Sequence, residues 1–115
     1  MQERRKVKRR YLLFYSRVFN ALTLDLIGHL VDITSGGAML ISEEPINLNT
    51  IYELRLELTK EVSDKPYLDF SVKSMWGRPD IDPHYYDTGF QFINTSLADD
   101  QTIQKIIEVY GFRDN

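Results

Sequence analysis

The chain has 115 residues, of which 43% are hydrophobic and 12% aromatic, and none is cysteine. That suffices for one domain with a real core and is too short for two; it excludes disulfides, thiolate metal sites and a cysteine nucleophile, and it suits a reducing cytoplasm. The net charge of −3 hides an asymmetry: residues 1–10 carry six basic side chains against Glu3, a net of +5, which leaves −8 for residues 11–115, so the arm is either a solvated terminus or the half of the chain that meets an anionic partner.

That arm comes first, with Arg4, Arg5, Lys6, Lys8, Arg9 and Arg10. Its charge density and lack of apolar periodicity predict a segment that stays flexible until a ligand orders it. Residues 11–19 are almost wholly apolar and β-prone. The apolar run within them is shorter than the roughly 7 to 15 residues of a signal peptide's apolar region, and far short of the roughly 18 to 20 of a membrane span, so neither is expected. After a break at 20–25, residues 26–34 and 38–42 read as two strands around Ser35-Gly36-Gly37, a tight hairpin connection.

Beyond a break at 43–49, Leu54, Leu56 and Leu58 alternate with Glu53, Arg55 and Glu57. After another at 61–66, Leu68, Phe70, Val72, Ser74 and Trp76 alternate with Asp69, Ser71, Lys73 and Met75. A break at 78–84 leads to Gly89, Gln91 and Ile93 alternating with Phe90 and Phe92. Period two with one wet face predicts half-buried antiparallel strands, and six of them at short spacing point to a mostly β barrel or sandwich. The period then changes. Ser96 is placed to cap a helix, with Asp99 and Asp100 near its positive end, and Ile103, Ile106, Ile107 and Tyr110 follow at helical spacing before Gly111 as a stop. One apolar stripe predicts that this helix packs on the barrel. The organisation expected is an arm at 1–10, a β domain at 11–95 and a helical segment at 96–115.

Two stretches carry candidate chemistry. Arg5 and Arg9 lie four residues apart just before the first strand; a guanidinium can pair bidentately with guanine O6 and N7, stack on a purine, or bind phosphate. Asp32-Ile33-Thr34-Ser35-Gly36-Gly37 lies at a strand end and its turn. The Asp32 carboxylate can accept from guanine N1–H and N2–H, and Thr34, two residues on, shares its face. Gly36 and Gly37 would permit positive φ and close approach of a ligand to the backbone. Taken alone, the first stretch is a common basic run and the second a plain hairpin turn. The two histidines, His29 and His84, have no partner at metal-ligand spacing. His29 lies in an expected strand as a structural imidazole.

Together, the order Arg5-x-x-x-Arg9, then Asp32-x-Thr34-x-x-Gly37, resembles the PilZ domain family, and Tyr86-Asp87-Thr88-Gly89-Phe90-Gln91-Phe92 looks like that family's last barrel strand. Trp76-Gly77 falls where the family often carries an aromatic. The resemblance covers residues 3 to 95 and implies a six-stranded antiparallel PilZ-type β-barrel that binds cyclic di-GMP (c-di-GMP). It implies that Arg5 and Arg9 clamp guanines and phosphates, that Asp32 reads a guanine edge with Thr34 beside it, and that Gly37 keeps the turn open. The family usually has serine at the position of Thr34; the hydroxyl survives and a methyl is added. Arg4 matches the arginine that in the family accompanies two stacked ligand molecules. The function expected is a cytoplasmic c-di-GMP receptor, not an enzyme, with no cofactor or metal, acting on a downstream protein, without nucleic acid or membrane insertion. The alternatives are an OB-like barrel that binds single-stranded nucleic acid, against which the −8 body argues, and a PilZ relative that acts through protein contacts alone.

Overall fold

The computed structural model describes residues 16–110. The arm, with Arg4, Arg5 and Arg9, lies outside the described residues, as do residues 11–15 and the expected stop at Gly111. Among the described residues, six strands, β1 (Arg17–Asn20), β2 (Leu26–Ile33), β3 (Gly37–Ser42), β4 (Ile51–Glu57), β5 (Tyr67–Pro79) and β6 (Tyr86–Ile93), precede one helix, α1 (Leu97–Tyr110). Every strand pairing is antiparallel, and the order β1-β2-β3-β6-β5-β4 closes on itself as β1 pairs with β4. Closure leaves these six strands with no unpaired sheet edge among the described residues.

The alternation read from the sequence sets the two faces of β4 and β5. Leu54↔Phe70 and Leu56↔Leu68 are cross-strand pairs buried in the barrel. Between them Arg55↔Asp69 faces outward, with Arg55 Nε and a second guanidinium nitrogen donating to the two carboxylate oxygens at 2.8 and 2.9 Å. Val18, Leu30, Ile33, Leu40, Val72 and Phe90 complete the barrel interior, and Ile103, Ile106 and Ile107 of α1 belong to the same buried cluster. The helix therefore covers the core with its single apolar stripe, as its periodicity predicts. Its start is a reciprocal cap: Asp99 N donates to Ser96 Oγ at 3.1 Å and Ser96 N to Asp99 Oδ2 at 3.3 Å.

Period two fails in two places. On β5 the pairing passes from Ser74↔Phe90 to Trp76↔Gly89, so Met75 is a bulge. The sequence alternation puts Trp76 on the inner face with Ser74, whereas the bulge turns it outward, 41% exposed. β5 also runs on to Pro79, so Arg78 is a strand residue rather than part of a break. On β2 the pairing passes from Leu30↔Leu40 to Asp32↔Met39, so Val31 is the extra residue. Without it Asp32 would face inward with Leu30; with it Asp32 and Thr34 are exposed while Ile33 is buried.

Candidate functional site

The two bulges build one cleft. Asp32 and Thr34, turned out by the bulge in β2, and Trp76, turned out by the bulge in β5, line an open cleft of about 310 Å³ with Gly36 and Gly37. Met39, Met75 and Gln91 complete its walls. The hairpin between β2 and β3 is tightly tied at this end: Thr34 N donates to Gly37 O at 2.8 Å, Gly36 N to Thr34 Oγ1 at 3.2 Å, and Phe92 N on β6 to Gly36 O at 3.0 Å. Asp32 Oδ1 accepts from Ile33 N at 2.9 Å, which orients the carboxylate on the strand.

Neither Gly36 nor Gly37 has φ in the left-handed region, contrary to the expectation from the turn sequence. Gly37 is required for another reason. A Cβ there would collide with the carbonyl oxygen of Phe90 on β6, a backbone atom fixed in the ladder. Gly36 is free of such contacts; the nearest atom to a Cβ would be Thr34 Oγ1 at 4.0 Å. Gly89 serves Trp76 in a comparable way: a Cβ on Gly89 would run into the indole ring, so its absence lets the ring lie against the strand. Arg78 holds the indole from its own strand, with its guanidinium 5.0 Å from the ring centroid and Nε 3.9 Å from Oδ2 of the buried Asp87.

The structure thus brings together three of the residues picked from the sequence, Asp32, Thr34 and Gly37, and adds Trp76, Met39, Met75 and Gln91. The sequence carried one hint of the added wall: an isolated glycine within the β6 pattern, which signals close approach of another group. His29 lies elsewhere, at the opposite half of β2, half-buried, and its imidazole is pushed below its ordinary value by burial first and Arg17 second. Among the described residues, no group of three or more His, Cys, Asp or Glu side chains could hold a metal ion, and no helix is long and apolar enough to cross a membrane.

Comparison with known protein families matches residues 3–108 to the PilZ domain. The chain belongs to the PilZ domain family. Solved structures share its fold. The PilZ domain of YcgR from Escherichia coli, with c-di-GMP, superposes with a TM-score of 0.62 at 14% identity, covering 84% of this chain and 81% of that one. The MrkH–c-di-GMP complex of K. pneumonia gives a TM-score of 0.64 at 16% identity over 82% of this chain and 45% of that chain. PlzA of Borreliella burgdorferi in complex with c-di-GMP gives 0.55 at 13% identity over 98% of this chain and 50% of that chain. This PilZ chain therefore spans about half the length of MrkH and PlzA. No curated protein matches it.

Proposed function

We propose that this PilZ chain is a cytoplasmic c-di-GMP receptor that performs no chemistry on its ligand and changes its surface when the arm is ordered over the cleft. The observation that carries the reading is the convergence of Asp32, Thr34 and Gly37 on one cleft walled by the exposed Trp76. Asp32 accepts from guanine N1–H and N2–H, Trp76 supplies an aromatic surface for a base, and Arg5 and Arg9 supply the donors that pair with guanine O6 and N7 and with phosphate. The attachment of the arm favours this: Ser16 O accepts from Leu30 N at 2.8 Å, so β1 begins beside the half of β2 that carries Asp32. Three solved structures of the same fold, one of them a PilZ domain, hold c-di-GMP, which supports the choice of ligand.

Calorimetry tests the reading. c-di-GMP should bind and cyclic di-AMP should bind much more weakly, because adenine presents a donor where guanine presents O6. Arg5→Ala, Arg9→Ala and Asp32→Ala should each lose about 1 to 3 kcal/mol, roughly five- to more than a hundredfold in affinity. Thr34→Ser should be neutral or slightly favourable, and Arg4→Ala should lower the number of ligands bound per chain more than the first affinity. Hydrogen exchange should show residues 3–10 gaining protection on binding. If Arg5→Ala and Arg9→Ala both bind like the parent, the proposed site is wrong.

A further inference from the structure

A second cleft, of about 480 Å³, shares no lining residue with the one above. It sits at the other end of the β2–β3 hairpin, between the start of β2 and the loop 43–50 that follows β3. Gly28 lies in its floor, where a Cβ would collide with the Ile41 carbonyl oxygen. Ile27, Pro45, Ile46 and Tyr52 give it apolar walls. The walls are tied in place: Ser42 Oγ donates to Glu44 O at 2.7 Å, Ser74 Oγ donates to Asn47 O at 2.6 Å, and the Tyr52 ring packs edge-on against Phe90 at 6.2 Å. Its carboxylates are the exposed Glu43 and Glu44; His29, which burial and then Arg17 push below its ordinary value, also lines it, and no lysine or arginine among the described residues does.

The β1–β2 turn leads into Leu26, which lines the cleft, and it is rich in exposed leucine. Leu22 is 79% exposed, Leu24 59%, and Leu26, which also lines the cleft, 53%. Leu24 has φ of 67°, in the left-handed region that non-glycine residues rarely adopt. The turn is held there by Leu24 N donating to Asn20 O at 2.7 Å and by Asn20 Oδ1 accepting from Leu22 N at 2.8 Å. Asp25 closes it, with its carbonyl oxygen accepting from Asn20 N at 2.8 Å. Leu22 and Leu24 on the turn and Leu26 at the start of β2 lie outside the buried core; exposed leucines on a strained turn that leads into a preformed cleft have the character of an interaction surface.

We propose that this face docks a segment of a partner protein that places an arginine or lysine between apolar side chains, with the cation beside Glu43 and Glu44 and the apolar flanks on Leu22, Leu24 and Leu26. The complementarity of charge selects this occupant: Glu43, Glu44 and Asp25 repel an anionic membrane or nucleic acid and attract a cation set in an apolar context. The surface lies apart from the nucleotide cleft and does not depend on the nucleotide reading.

The test is an NMR titration of the full chain at millimolar concentrations of acetyl-Leu-Arg-Leu-amide, with acetyl-Leu-Glu-Leu-amide as control. The arginine peptide should shift the amides of Gly28, Glu43, Glu44 and Leu24, and the glutamate peptide should not. The double variant Glu43→Lys with Glu44→Lys, both exposed and therefore compatible with folding, should weaken the arginine peptide about fivefold or more. No shift in this region, equal shifts by the two peptides, or shifts unchanged in the charge-reversed variant would overturn the proposal. So would a dimer in ultracentrifugation that Leu22→Ser abolishes, or binding to anionic phosphatidylglycerol vesicles lost in the same variant, since each names a different occupant.

Discussion

Gly37 offers a sharp perturbation because the obstacle to a side chain there is backbone. A Cβ on Gly37 collides with the Phe90 carbonyl oxygen, and Phe90 is paired with Ala38 in the β3–β6 ladder. That oxygen cannot swing aside as a side chain could. The hairpin cannot retreat easily either, because Thr34 N holds Gly37 O at 2.8 Å and Phe92 N holds Gly36 O at 3.0 Å. Gly37→Ala must therefore spread the two strands, an overpacking that costs about 1 to 3 kcal/mol. For a domain of this size, each kcal/mol lowers Tm by roughly 4 °C. Gly36→Ala is the internal control. Its Cβ would meet only Thr34 Oγ1 at 4.0 Å, and its φ is not left-handed, so the change should be neutral or stabilise by about 0.4 to 1 kcal/mol through the unfolded chain. Urea melts followed by circular dichroism measure both variants. Because Gly37 also lines the cleft proposed to hold the nucleotide, c-di-GMP affinity should fall in Gly37→Ala alone. A Gly37→Ala protein that melts with the parent, or a Gly36→Ala protein that is the less stable of the two, refutes the steric argument.

Trp76→Ala should weaken c-di-GMP by about 1 to 3 kcal/mol, the worth of one base–aromatic stack, while thermal melts stay cooperative because the ring is 41% exposed and outside the core; unchanged calorimetry would remove Trp76 from the site. His29 is depressed below 6.5 in the folded state, by burial first and Arg17 second. It therefore contributes stability that is present above about pH 6.5 and is lost as the pH falls through the lower folded value. Tm measured downward from neutral pH should decline before the carboxylates titrate, and His29→Gln should flatten that part of the profile; an identical profile in the variant would show that His29 does not carry it.

Much of the β architecture was legible because its causes are local. Alternation in residues 53–58 and 68–74 follows from one wet and one dry face, and the cap at Ser96 with the stripe Ile103, Ile106, Ile107 follows from helix geometry. The Asp32-x-Thr34-x-x-Gly37 order could be read with its family, and the structure places all three residues on one cleft. Trp76 could not be assigned its face from alternation, because the bulge at Met75 depends on how β5 registers with β6. The second cleft was also hidden, since Gly28, Glu43 and Tyr52 come from separate stretches that meet only when the barrel forms.

The sequence by itself determined the number and kind of the elements, the segregation of a basic arm from an acidic body, and which residue types could meet guanine. Each rests on neighbours along the chain: period, capping, charge density and motif order. The tertiary structure alone decided the closed order β1-β2-β3-β6-β5-β4, the outward turn of Asp32 and Trp76, and the reason Gly37 is glycine. Those depend on register between strands far apart in the chain, where one extra residue sends the side chains beyond it to the opposite face.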